Sequence, residues 1–110
     1  QEPKKTKRMK VFIQSVNFNA DSDLLKYIEN KVQGLSKFYD KIIDAEVFLK
    51  VQKTSDKENK ISEIKMNIPG NELMIKKEAK SFEEGISVCV DSLKRQLKKA
   101  KEKLRDSVSI

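Results

Sequence analysis

From Phe82 to Leu104 the apolar residues Phe82, Ile86, Val90 (with Cys89), Leu93, Leu97, Ala100 and Leu104 recur every three or four positions. That spacing predicts one long helix with a single apolar stripe. Run on to Arg105, it would measure about 36 Å at about 1.5 Å per residue. Such a stripe is stable in water only under a second layer, so this segment demands a partner layer from the rest of the chain. Its other sides are cationic: Lys94, Arg95, Lys98, Lys99, Lys101, Lys103 and Arg105 face a single acid, Glu102. One acid cannot supply the ion pairs four residues apart that normally offset such a run. A solvated lysine face is the plain reading, and binding to a polyanion is the functional one. Lys76, Lys77 and Lys80, just ahead of the helix, form a second cluster that favours phosphate recognition.

The covering layer reads as a sheet. Lys10 to Val16 is β-branched and roughly alternating, which predicts a first strand. In Asp44 to Lys53, Ala45, Val47, Leu49 and Val51 take one face and Glu46, Phe48, Lys50 and Gln52 the other, a half-buried strand. After the polar turn Thr54 to Asn59, Ile64, Met66 and Ile68 alternate with Glu63, Lys65 and Asn67, so the two strands make a hairpin. Pro69-Gly70-Asn71 turns the chain into a fourth strand, Leu73 to Lys77. Between the first two strands, Asn17 to Asp23 offers helix caps, and Leu24, Ile28, Val32 (or Lys31), Leu35 and Phe38 mark a first helix. Ser81 caps the second. The order is β-α-β-β-β-α, an α+β fold with one helix layer on one face of a four-stranded sheet. Short strands extend only about 17–20 Å, so the last turns of the second helix should overhang and carry the basic coat outward.

At 110 residues the chain supports one domain with a modest core. Of the net charge of +7, residues 1–10 carry +4 and residues 94–105 carry +6, which leaves −3 for the rest. There is no histidine and one cysteine, Cys89. That excludes an internal disulfide framework, histidine-based triads and histidine zinc sites, and it fits a reducing compartment. Gly34, Gly70 and Gly85 are isolated and build no phosphate loop. The pairs Asp21/Asp23 and Glu83/Glu84 sit near helix starts, where the helix dipole accounts for them. Cys89, on the apolar stripe, reads as packing. No catalytic residue, metal ligand or cofactor is therefore expected. Most of the aromatic residues Phe12, Phe18, Tyr27, Phe38, Tyr39, Phe48 and Phe82 read as core; Phe48, on the polar side of its strand, is the one candidate for base stacking. No apolar run reaches about 18 residues, so no membrane-spanning helix is expected. Residues 1–8 read as a basic disordered arm or an expression remnant ahead of a natural start at Met9, and residues 106–110 as a short tail.

The residues resemble a known family, the ribosome hibernation promoting factors and ribosome-associated translation inhibitors, over about residues 9–105. The second helix carries the likeness. Ser81-Phe82-Glu83-Glu84-Gly85-Ile86 through Val90-Asp91-Ser92-Leu93-Lys94-Arg95-Gln96-Leu97-Lys98-Lys99 looks like the family's Asp-x-Tyr-x-Ala-Ile-Asp … Asp-Lys-Leu-x-Arg-Gln-Leu-x-Lys. Arg95-Gln96-Leu97 with Lys99 is its most specific piece. Glu83, Ser87 and Ser92 stand where the family has Tyr, Asp and Lys. Leu35-Ser36-Lys37-Phe38-Tyr39 resembles the end of the family's first helix, Lys-Leu-x-Lys and an aromatic.

The resemblance implies two parallel helices on one sheet face, similar in outline to double-stranded-RNA-binding domains. It implies the short form of the family, without a C-terminal dimerisation domain, free as a monomer in the bacterial cytoplasm and acting under stress or in stationary phase. The partner it implies is the small ribosomal subunit. Seated in the cleft between head and body, across the mRNA path and the aminoacyl and peptidyl tRNA positions, the protein would block translation by occupancy, with no catalysis, and keep idle ribosomes intact. Arg95, Lys98 and Lys99 would pair with rRNA phosphates, Lys94, Lys101 and Arg105 would extend the track, and Lys76, Lys77 and Lys80 would widen it. Lys31 and Lys37 on the first helix are secondary candidates. Two rivals are a generic duplex-RNA module that reads A-form shape and a protein-interaction module whose basic helix docks on an acidic partner.

Overall fold

In a computed structural model of the chain, residues 9–16, 18–53 and 58–108 are described, with side chains through Glu102. The expected arm at 1–8, most of the expected turn (residues 54–57), the end of the tail at 109–110 and the side chains of Lys103, Leu104 and Arg105 lie outside the described residues. The elements are β1 (Lys10–Val16), α1 (Ser22–Phe38), β2 (Asp44–Lys53), β3 (Glu58–Ile68), β4 (Asn71–Ala79) and α2 (Phe82–Val108). The sheet order is β1-β2-β3-β4. β1 runs parallel to β2, which requires the crossover that α1 supplies, and the other pairs are antiparallel. This is the expected β-α-β-β-β-α architecture.

β4 therefore runs in the direction of β1. Each helix reverses the strand before it, so α1 and α2 are parallel to one another. A cross-helix bond at either end agrees: the Tyr27 hydroxyl donates to the Glu83 carbonyl at 3.4 Å near both helix starts, and Lys101 Nζ donates to the Phe38 carbonyl at 3.4 Å where α1 ends. The caps are those the sequence offers. Asp21 Oδ1 accepts from the Leu24 amide at 2.9 Å, and Ser81 Oγ accepts from the Glu84 amide at 3.2 Å. Gly70, at φ 78°, supplies the left-handed residue of the β3–β4 turn.

The register sends Val11, Ile13, Ala45, Val47, Leu49, Ile64, Met66 and Leu73 to the helix side. There they meet Ile28, Val32 and Leu35 of α1 and Ile86, Cys89, Leu93 and Leu97 of α2, all of them fully buried. Each such side chain stabilises the fold by about 1.5–3 kcal/mol relative to exposure.

Four expectations change. β3 starts at Glu58, inside the expected polar turn, because the ladder continues through Lys53↔Glu58 and pairing overrides weak strand propensity. Phe12, grouped with the core on composition, is 54% exposed, since its parity in β1 is opposite to that of Val11 and Ile13. The third concerns the overhang: Leu93 and Leu97 are fully buried and Ala100 packs against the core, so Lys94 to Lys99 ride on the packed part of α2 rather than on a projecting end. α2 continues to Val108, past the expected end at Arg105.

At Gly85, α2 passes close over the sheet. A Cβ built there would lie 2.8 Å from Ser62 Oγ and 3.8 Å from Ala79 Cβ. Ser62 is fully buried, and its Oγ is without a hydrogen-bond partner among the described residues. Gly85→Ala should thus cost about 1–3 kcal/mol by overpacking, even though alanine improves helix propensity by about 1 kcal/mol. Ser62→Ala removes both the clash and an unpaired hydroxyl, so the double variant should be at least as stable as the parent. Urea denaturation of the three variants checks this; a Gly85→Ala cost that persists in the Ser62→Ala background would show that Ser62 Oγ is not the obstacle.

Candidate nucleic-acid interface

The leucine ridge decides where the cations of α2 stand. With Leu93 and Leu97 turned into the core, Lys94, Arg95, Lys98, Lys99 and Lys101 are all exposed. Helical spacing sorts them into two rows. Lys94, Lys98 and Lys101 form the row beside α1, fixed there by the reach of Lys101 to Phe38. Arg95 and Lys99, four residues apart, form a second row further out.

α1 contributes the opposite wall of the groove between the helices. Tyr27 crosses to Glu83, and Lys31 Nζ stands 5.8 Å from the centroid of the Tyr27 ring. Lys101 Nζ stands 5.5 Å from the centre of the Phe38 ring, while its bond to the Phe38 carbonyl satisfies one of the acceptors that a helix end leaves open. The groove is cationic and edged by two aromatic rings. Tyr27 and Phe38 were not singled out from the sequence as part of a site; the Tyr27–Lys31 spacing of four on a helix was the available signal.

The other candidates are dispersed. Lys37 is exposed, and helical spacing sets it opposite the buried stripe Leu24, Ile28, Val32 and Leu35, on the outer side of α1. Lys76 and Lys77 alternate in β4: Lys76 is opposite Glu63 on the open face of the sheet, and Lys77 is opposite Ser62 on the helix side. Lys80 is in the turn between β4 and α2. The cluster read from the sequence is thus divided between two faces and a turn. Arg105 belongs to α2, and its side chain lies outside the described residues.

Nothing reactive accompanies these cations. Burial pushes the Cys89 thiol from 9.0 up to about 11, with Lys77 pulling weakly the other way. Its Sγ–H points to the Ser62 carbonyl at 3.7 Å, the position of a packed core thiol. Among the described residues, no group of three or more His, Cys, Asp or Glu is placed to hold a metal ion, and no helix is long and apolar enough to cross a membrane. The first turns of both helices are acidic, with Asp23 in α1 and Glu83 and Glu84 in α2, at the end away from Lys94 to Lys101.

The chain is thus a small α+β domain with an exposed basic face on paired parallel helices over a four-stranded sheet. Residues 11–105 match the model of the Sigma 54 modulation protein / S30EA ribosomal protein family, and the chain belongs to that family. It is 33% identical over 95 residues to a ribosome hibernation promoting factor of Pseudomonas putida, covering 86% of this chain and 89% of the relative. The corresponding protein of Azotobacter vinelandii is 30% identical over 95 residues, covering 86% and 85%. Among solved structures, a ribosomal subunit interface protein from Coxiella burnetii superposes with a TM-score of 0.76 at 18% identity, covering 86% of this chain and 99% of that one. The N-terminal domain of Thermus thermophilus Protein Y gives 0.71 at 21% identity, covering 84% and 98%. These structural likenesses establish the fold, and the family resemblance read from the second helix is borne out by the sequence matches.

Proposed function

We propose that this protein is a ribosome hibernation factor that binds the small ribosomal subunit in the mRNA and tRNA channel and inhibits translation by occupying it. The observation that carries the reading is the two-row cationic face of α2, held on buried leucines, in a chain whose relatives are named for ribosome hibernation. The backbone that carries the charges is already ordered, so binding has only their side chains to immobilise. Arg95 grips phosphate in bidentate fashion, and Lys94, Lys98 and Lys99 add point charges around it. Lys31 lies across the groove, and Lys101 divides its charge between the groove and the end of α1. Arg105 extends the track along α2. Lys77 and Lys80 stand at the β4 flank and Lys37 on the outer side of α1 as outer contacts, whereas Lys76, on the open face of the sheet, contributes through the overall field. The mechanism is occlusion and needs no chemistry.

Co-sedimentation with small subunits across a salt series tests this. About six phosphate contacts should make log K fall against log salt with a slope of about −4 to −5. Binding indifferent to salt, or no association at low salt, would exclude it. Equal affinity for free duplex RNA would favour the generic duplex-RNA reading instead.

A further inference from the structure

The face of the sheet away from the helices is built on other terms. Phe12 is 54% and Met74 53% exposed there on the outer strands, and Phe48 and Ile61 are half-buried on the two central ones. Yet the face is charge-balanced. The register gives four rows across β1 to β4: Lys10–Asp44–Asn67–Glu72, Phe12–Glu46–Lys65–Met74, Gln14–Phe48–Glu63–Lys76 and Val16–Lys50–Ile61–Glu78. Lysines and carboxylates are interspersed, and Lys65 and Glu72 form an ion pair of 3.3 Å within the face. A surface that rich in carboxylates does not attract phosphates.

Two of the four rows, those of Lys10 and Phe12, are complementary to their own reverse. A two-fold axis parallel to the strands, passing between β2 and β3, would lay two copies of the sheet together with β1 over the partner's β4 and β2 over the partner's β3. Lys10 would then meet the partner's Glu72, Phe12 the partner's Met74 and Glu46 the partner's Lys65. In the remaining pairs, a charge meets an uncharged residue. No row brings two like charges together. The angle of aligned sheet packing, about 30°, displaces the outer pairs by less than the roughly 6.6 Å between neighbours on one face. Methionine sulfur against an aromatic ring is itself a favourable contact.

We propose that the open sheet face is a docking surface for a second copy of this chain, joined as a two-fold, sheet-to-sheet dimer. Two-fold dimers are the commonest closed assembly and require this kind of self-complementary patch. The arrangement also puts the two cationic helix layers on opposite outer sides, where their mutual repulsion is least. Four strands of this length offer roughly 500 Å² per copy, at the low end for a specific interface, so the dimer is weak and concentration-dependent. It departs from the expectation of a monomer when free.

Sedimentation equilibrium over a wide concentration range tests the proposal, with Phe12→Glu and Met74→Lys as variants and circular dichroism as the check on folding. β1 and β4 are about 14 Å apart within one sheet, so these substitutions cannot compensate each other inside a single chain. The parent should show a monomer–dimer equilibrium, and each variant alone should be monomeric. A one-to-one mixture should dimerise again, because the introduced carboxylate of one chain meets the introduced ammonium of the other. A parent monomeric to its solubility limit, folded variants that dimerise as the parent does, or a mixture that stays monomeric would each overturn the proposal. So would a monomeric parent whose Phe12→Glu variant loses affinity for ribosomal subunits, since the face would then belong to the ribosome contact.

Discussion

Replacing Arg95 and Lys99 together by glutamate is expected to weaken association with small ribosomal subunits by on the order of 100-fold at moderate salt, while the thermal midpoint moves by less than about 4 °C. Each reversal removes one favourable charge contact and adds a repulsive one, about 0.7 kcal/mol apiece for exposed charges, and 1.4 kcal/mol is a factor of ten in affinity. Stability is spared because both side chains are exposed and neither takes part in a hydrogen bond or ion pair among the described residues. Filter binding at several salt concentrations, with a melt of the same samples, checks both halves. Retained affinity would mean that the outer row of α2 does not face RNA; a collapse of the melt would mean that these residues hold the fold.

Leu97→Ala should do the reverse. Leu97 is fully buried at the far end of the core, so its truncation should cost about 2–5 kcal/mol, a large part of the roughly 5–15 kcal/mol that keeps a small domain folded. A fall in midpoint of roughly 10–20 °C follows for a chain of this size. Well below that midpoint, where the variant is still folded, affinity for the subunit should drop far less than in the charge-reversed protein. The two variants together separate the ridge that seats α2 from the coat that faces outward. A Leu97→Ala protein melting like the parent would show that α2 is not anchored there.

The parts of the fold that depend on periodicity were legible in the sequence. The ends of β1 and β2 fall where alternation starts and stops, and Asp21 and Ser81 cap the helices that follow them. What depends on pairing between segments was less so. The start of β3 is set by the partner that Lys53 offers to Glu58, a fact about two segments at once. Parity would have placed Phe12 and Lys76 on the open face, but apolar character in one case and charge density in the other gave the opposite grouping. The groove of the candidate site required knowing that α1 and α2 are parallel neighbours. Only then do Tyr27, Lys31 and Phe38 share a surface with Lys94, Lys98 and Lys101, residues more than 50 positions away along the chain.

Because the helices are parallel, their acidic first turns lie together at one end of the layer and the lysine- and arginine-rich turns of α2 lie toward the other. The peptide dipoles point the opposite way, with about half a charge at each helix end, and the full side-chain charges outweigh them. The molecule therefore has a permanent electric moment along its helix axes. Near a polyanion that moment produces a torque, so the protein turns its basic end forward before contact is made, and collisions that begin in the wrong orientation still become productive.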